Sequence, residues 1–216
     1  FPRRLNGRVK NPVGRRDSAK GLQHGGLIMS PSIIAAEVKR RTVDIERLNR
    51  DVYHVNSELE SHGMWTEKVA DIDVCLVPIG YAYGWQWYGG SGNIHIPRWS
   101  LCQFYDFWRD VYTSLKSVLR HEYGHVVADL YPKLVDNKTF EKAFSGKHDD
   151  RKSTLVYDEK LYVTEYAATR PSEDFAEVFG LYLKHKGKIP KKFNHKCIAA
   201  KWRFVGKLCD KVAAVK

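Results

Sequence analysis

Apolar residues recur along this chain with two periods, and the changes of period mark out its elements. From Ser32 to about Glu60 they step by threes, fours and one seven. Ile34, Val38, Ile45, Leu48, Val52, Val55 and Leu59 form one stripe, with Lys39, Arg40, Glu46, Arg47, Arg50 and Glu58 off it. That spacing predicts an amphipathic helix, capped by Ser32 and closed by Gly63. Between Ala70 and Gly80 the period drops to two. Ile72, Val74 and Leu76 alternate with Asp71, Asp73 and Cys75, which predicts a strand from about Asp71 to Val77. The aromatic, glycine-punctuated run over 81–92 reads as a hairpin and its turn, its aromatics mostly cross-strand packing pairs. Asn93 to Trp99 alternates again, with Ile94 and Ile96 on one face and Asn93 and His95 on the other. Pro97 removes a ladder donor there, so the reading is a short edge strand.

The second half is mostly helical. Leu101 to about Tyr131 carries Leu115, Val118, Leu119, Val126, Val127 and Leu130 at helical spacing, with a break expected near Tyr112–Thr113 and Pro132 at the end. Residues 131–158 are polar and irregular apart from a short apolar piece near Phe140–Phe144, and read as a surface excursion. Thr169 as cap and Pro171 in the first turn open another helix, continued by Val178, Phe179, Leu181 and Leu183. Ile198, Trp202, Val205, Leu208 and Val212 predict a closing amphipathic helix. The class is therefore α+β: a small twisted sheet with an edge strand against a helix, then a mainly helical C-terminal part.

Composition adds limits. The 216 residues, 43% hydrophobic, suit one sizeable domain. We divide the chain into a basic N-terminal arm or linker at 1–30 and a single domain at 31–216. In the arm, Arg3, Arg4, Arg8, Lys10, Arg15, Arg16 and Lys20 face only Asp17. The net charge of +11 favours acidic partners such as anionic protein surfaces, nucleic acid or phospholipid headgroups, or serves solubility alone. No apolar run reaches the roughly 18–20 residues that span a bilayer, so no transmembrane segment is expected. The four cysteines form no C-x-x-C pair, which argues against a zinc ribbon; they fit two disulfides or four thiols.

One stretch carries chemistry. His121-Glu122-Tyr123-Gly124-His125 reads H-E-x-x-H within a helical stripe. One turn apart on one face, the two imidazoles suit a single Zn²⁺, and Glu122 is placed to take a proton from a water polarised by that ion. Gly124 lets another backbone approach closely. A catalytic zinc ordinarily has three protein ligands, and the candidates for the third are His148 and the carboxylates Glu173 and Glu177. Glu173 and Glu177 sit one turn apart on the next helix, so one could bind the metal while the other holds a ligand histidine. The backbone of Asn93, Ile94 and His95, on the expected edge strand, would pair with an extended substrate.

These residues, with Tyr166-Ala167-Ala168-Thr169-Arg170-Pro171-Ser172-Glu173-Asp174-Phe175-Ala176-Glu177, resemble the gluzincin zinc metallopeptidases. More closely, they resemble the catalytic domain family of anthrax lethal factor, whose relatives include the Pro-Pro endopeptidases. The resemblance covers roughly residues 70–185. It implies a zincin-like fold and hydrolysis of a protein or peptide substrate by an exported toxin or effector, secreted or delivered rather than cytoplasmic. It also implies ligands His121, His125 and Glu173, Glu177 behind them, Glu122 as general base and Tyr166 as an oxyanion donor. Two other readings compete. A nucleic-acid-associated protease of the SprT-like kind would use the basic termini, but it takes its third ligand from a histidine close downstream, and none lies between His125 and His148. A non-catalytic zinc module would close the fourth position with a further ligand such as Cys.

Overall fold

The structure, a computed structural model, describes residues 30–88, 91–103, 113–151 and 156–215. The basic arm expected at 1–30 lies, but for Ser30, outside the described residues, as does Tyr112 at the expected helix break. The first stripe folds as two helices, α1 (Pro31–Arg41) and α2 (Ile45–Ser61), not one. The break has a local cause. Asp44 caps α2 by accepting from the Arg47 N–H at 2.8 Å, and the Val43 N–H donates to the Arg98 carbonyl. Leu48, Val55 and Leu59 are buried, whereas Ile34 and Ile45 stay exposed. Ser30, not Ser32, occupies the cap position of α1, and Gly63 follows α2 with φ +69°.

After the short helix α3 (Glu67–Ala70) come β1 (Asp73–Gly80), β2 (Gly84–Trp87) and β3 (Gly92–Ser100). Their order in space is β1-β3-β2. β1 runs parallel to β3 and β2 antiparallel to it. This corrects the expected edge strand: β3 is central. Asn93, Ile94 and His95 are registered with Asp73, Val74 and Cys75 on one side and with Gln86, Trp85 and Gly84 on the other. Their backbones are committed to ladders and cannot pair with a substrate. Pro97 is tolerated in a central strand because the β2 ladder stops at His95. The alternation itself holds, with Ile94 and Ile96 in the core and Asn93 and His95 partly exposed.

α4 (Leu115–Leu130) starts at Ser114, whose hydroxyl accepts from the Ser117 N–H, and buries Leu115, Val118, Leu119, Val126 and Val127. It packs on α2, on β2 and on α7 (Pro171–Lys184). Thr169 does not cap α7: it ends a 3-10 turn (Ala167–Thr169), and Arg170 takes the cap position with no side-chain bond. α5 (Pro132–Val135) and α6 (Lys138–Phe144) follow α4, and α8 (Lys196–Ala213) closes the described chain. The excursion expected over 131–158 is partly core. Phe140 and Phe144 are buried and meet Phe175 of α7 and Phe204 of α8 at 5.5–5.9 Å between ring centroids, edge-to-face except for the tilted Phe140–Phe175 pair. A fully buried Phe contributes about 1.5–3 kcal/mol, so this cluster fastens α6, α7 and α8 together. All four cysteines are free thiols. No helix among the described residues is long and apolar enough to cross a membrane.

Candidate metal centre

α4 and α7 bring the two motifs together because small residues line their contact. A Cβ added at Gly124 would lie 2.9 Å from the Ala176 Cα, and one at Gly180 would lie 3.3 Å from the Arg120 Cβ. On the far side α4 is tied to α2. The Arg120 guanidinium donates twice to Glu58, at 2.6 and 2.8 Å, and the Tyr123 hydroxyl donates to Asn56 at 3.0 Å. Tyr123 is thus a buried anchor beside the motif.

At the contact, His121 Nε2, His125 Nε2 and Glu173 Oε2 face one another. Their separations are 3.1 Å between the histidines, 3.1 Å from His121 to Glu173 and 3.3 Å from His125 to Glu173. Ligand atoms set tetrahedrally at about 2.0–2.1 Å from an ion lie about 3.3–3.4 Å apart, so the triad has the size of three corners of such a site. The His/His/Glu group is close enough to hold one metal ion. His148 does not join it; its ring packs against Phe140 and Phe175.

The ring of His121 is fixed from behind. Its Nδ1 donates to Glu177 Oε1 at 2.8 Å, Thr164 Oγ1 donates to Glu177 Oε2 at 2.9 Å, and the Ala167 N–H donates to Thr164 Oγ1 at 3.0 Å. This chain directs the other nitrogen toward the triad and links it to the turn carrying Tyr166. Burial favours the neutral ring of His121, but the carboxylates of Glu173 and Glu177 outweigh it and push the ring up to about 10. Burial raises Glu173 as well, yet its bonds to His121 and His125 hold it well below the usual carboxylate range. The Tyr166 ring lies 5.6 Å from that of His121. Burial of its phenol and the nearby Glu173 carboxylate push its pKa up, so it keeps its proton.

Glu122 lines the same cleft as His121 and Tyr166. Its Oε2 accepts the backbone N–H of Trp85 at 2.8 Å. Trp85 also donates its indole N–H to Asp129 Oδ2 at 2.7 Å. Two residues of α4, two turns apart, thus pin the middle of β2. β2, the edge strand beside the site, runs over the expected catalytic glutamate where β3 does not. Sequence reasoning placed His121, Glu122, His125, Glu173, Glu177 and Tyr166, which the fold brings together. It missed Trp85, Asp129 and Thr164. Asp129 has a signal, one turn past His125; Trp85 was hidden among aromatics that read as packing, and no spacing marks Thr164. A cleft of about 920 Å³ adjoins the site, lined by Tyr83, Val118, His121, Glu122, Tyr166 and Leu181 among others.

Fold and site together define an α+β protein whose His/His/Glu cluster, shared by two packed helices, can bind a metal. Comparison with protein-family models, with curated proteins and with solved structures found no match for this chain.

Proposed function

We propose that the chain is a zinc-dependent endopeptidase of the gluzincin kind, with a zincin-like fold around His121, His125 and Glu173. The observation that carries the reading is the triad's spacing of 3.1–3.3 Å, with Glu122 on the same helix and bonded to the backbone of the edge strand β2. Two imidazoles and one carboxylate are a donor set that suits zinc with one position open. Zinc bound there supplies Lewis acidity to a carbonyl and lowers the pKa of water toward about 7. The remaining chemistry belongs to this chain. Glu122 accepts a proton from the attacking water and hands it to the leaving amine. Tyr166, held protonated, donates to the developing oxyanion. Glu177 and Thr164 keep His121 in its binding tautomer.

The substrate lies beside β2, not β3. β2 is an edge strand whose Trp85 N–H is taken by Glu122, so an extended peptide pairs with the main-chain groups of β2 that Glu122 leaves open. Replacing Glu122 by Gln tests the whole reading. The Glu122→Gln protein should keep its zinc content and melting temperature while cleaving a diverse peptide library about 10²–10⁴-fold more slowly than the parent. Chelation should abolish cleavage, and zinc should restore it. Equal rates for parent and variant would overturn the mechanism.

A further inference from the structure

The cleft beside the metal centre leads to a strongly basic surface. One face of α7 carries Glu173, Glu177, Leu181 and Lys184 at steps of one turn. Ala176, Gly180, Leu181 and Lys184 all line the cleft, with Val118 opposite on α4. The carboxylates that line the cleft sit at its metal end, Glu122 and Glu177 beside His121 and Glu165 next to Tyr166, whereas the α7 wall beyond them is small or apolar and ends in the cation of Lys184. Lys184 lies eleven residues beyond Glu173, about 16 Å along the axis, a span covered by roughly four or five residues of extended peptide.

Lys184 is the first of a group. Lys184, Lys186, Lys188, Lys191, Lys192 and Lys196 are all exposed, and the sequence has no Asp or Glu from Val178 to Cys209. None of these six lysines has a carboxylate partner among the described residues. Arg120, the other cation lining the cleft, is neutralised by Glu58. Six like charges on one turn and its flanks repel one another, and an anionic ligand relieves that repulsion.

We infer that the cleft takes an acidic peptide, one carrying Asp or Glu within about five residues of the scissile bond on the side that follows α7 toward Lys184. The inference rests on the peptidase reading and names its substrate class. A peptide is favoured over nucleic acid or a membrane surface because Lys184 shares one cleft with His121 and Glu122, so the anion is presented by the chain that threads the metal centre.

The test uses binding and cleavage separately. Fluorescein-labelled peptides with a common apolar core and either Asp/Glu or Gln/Asn at the outer positions are titrated with the Glu122→Gln protein and read by anisotropy. The parent enzyme cleaves the same peptides. The acidic series should bind and be cleaved about five- to tenfold better at low ionic strength, and the advantage should collapse near 0.5 M NaCl. Lys184→Glu should remove or invert the preference. Lys211→Glu, the same charge change on α8 at a residue that does not line the cleft, should leave it intact. Charge-blind binding with cleavage intact, no binding of either series, or an unchanged preference in Lys184→Glu overturns the inference and leaves the peptidase standing. Acid-selective binding without cleavage overturns the peptidase and leaves the acidic cleft. A single-stranded oligonucleotide that competes as well as the acidic peptide would overturn the assignment to peptide.

Discussion

His121 is the residue on which the site converges, since it faces the triad through one nitrogen and Glu177 through the other. Its titration gives a prediction for the chelated protein. The folded state raises the ring from an ordinary 6.5 to about 10. A raised histidine stabilises the fold fully below about 6.5, and that contribution is lost as pH climbs toward 10. Glu173, depressed from 4.5, contributes above its ordinary value and loses its share on acidification. The chelated protein should therefore melt at progressively lower temperature between pH 6.5 and 10. Excess zinc should remove most of that slope, because a metal holds the ring deprotonated throughout. A chelated melting temperature that is flat across this window would show that His121 carries no charge there.

At the scale of elements, the site exists because α4 and α7 approach closely and β2 is pinned to α4. Gly124→Ala tests the first. Alanine favours the helix by about 1 kcal/mol, but its methyl would stand 2.9 Å from the Ala176 backbone, which cannot swing aside as a side chain would. Overpacking of this kind costs about 1–3 kcal/mol, and it should appear as zinc affinity weakened about five- to 100-fold, measured by competition with a chelating dye. Trp85 and Asp129 test the second. Trp85→Phe keeps the ring and loses the bond to Asp129. It should raise KM and lower kcat/KM several-fold with zinc content unchanged. A double-mutant cycle with Asp129→Ala should give a coupling of about 1 kcal/mol or more. Additive effects would mean that the bond does not position β2 for substrate.

Across the whole molecule, the half that carries the His/His/Glu cluster is braced by the C-terminal helix. Lys201 of α8 reaches the Asp174 carboxylate, next to Glu173 of the triad, and both side chains are buried at 3% and 1% exposure. The same ammonium donates to the Leu161 carbonyl, in the segment that leads to Thr164 and Tyr166. The ion pair therefore ties α8, α7 and the tyrosine-bearing segment at one point. Asp174→Ala strands a buried cation and should cost about 3–5 kcal/mol in urea unfolding. Asp174→Leu combined with Lys201→Met should recover most of that loss, because an apolar pair carries no desolvation penalty. If the single variant unfolds like the parent, the pair does not brace the fold.

Features that depend on neighbours a few residues apart were legible in the amino-acid order. The H-E-x-x-H helix, the one-turn spacing of Glu173 and Glu177, the closing helix and the alternation of β3 all follow from the periods of regular structure, which are fixed by backbone geometry. The other features depend on which segments pack together. A period of two says which face of Asn93–Trp99 is buried but not which strands lie beside it, so the placing of β3 at the centre and β2 at the edge came only from pairing. Pro97 pointed to an edge because its sequence cannot show that the β2 ladder stops two residues earlier. Phe140 and Phe144 became core because α7 and α8 arrive to cover them. The bonds of Trp85 to Glu122 and Asp129 join segments about 40 residues apart through one backbone amide and one indole, groups whose partners no local pattern encodes.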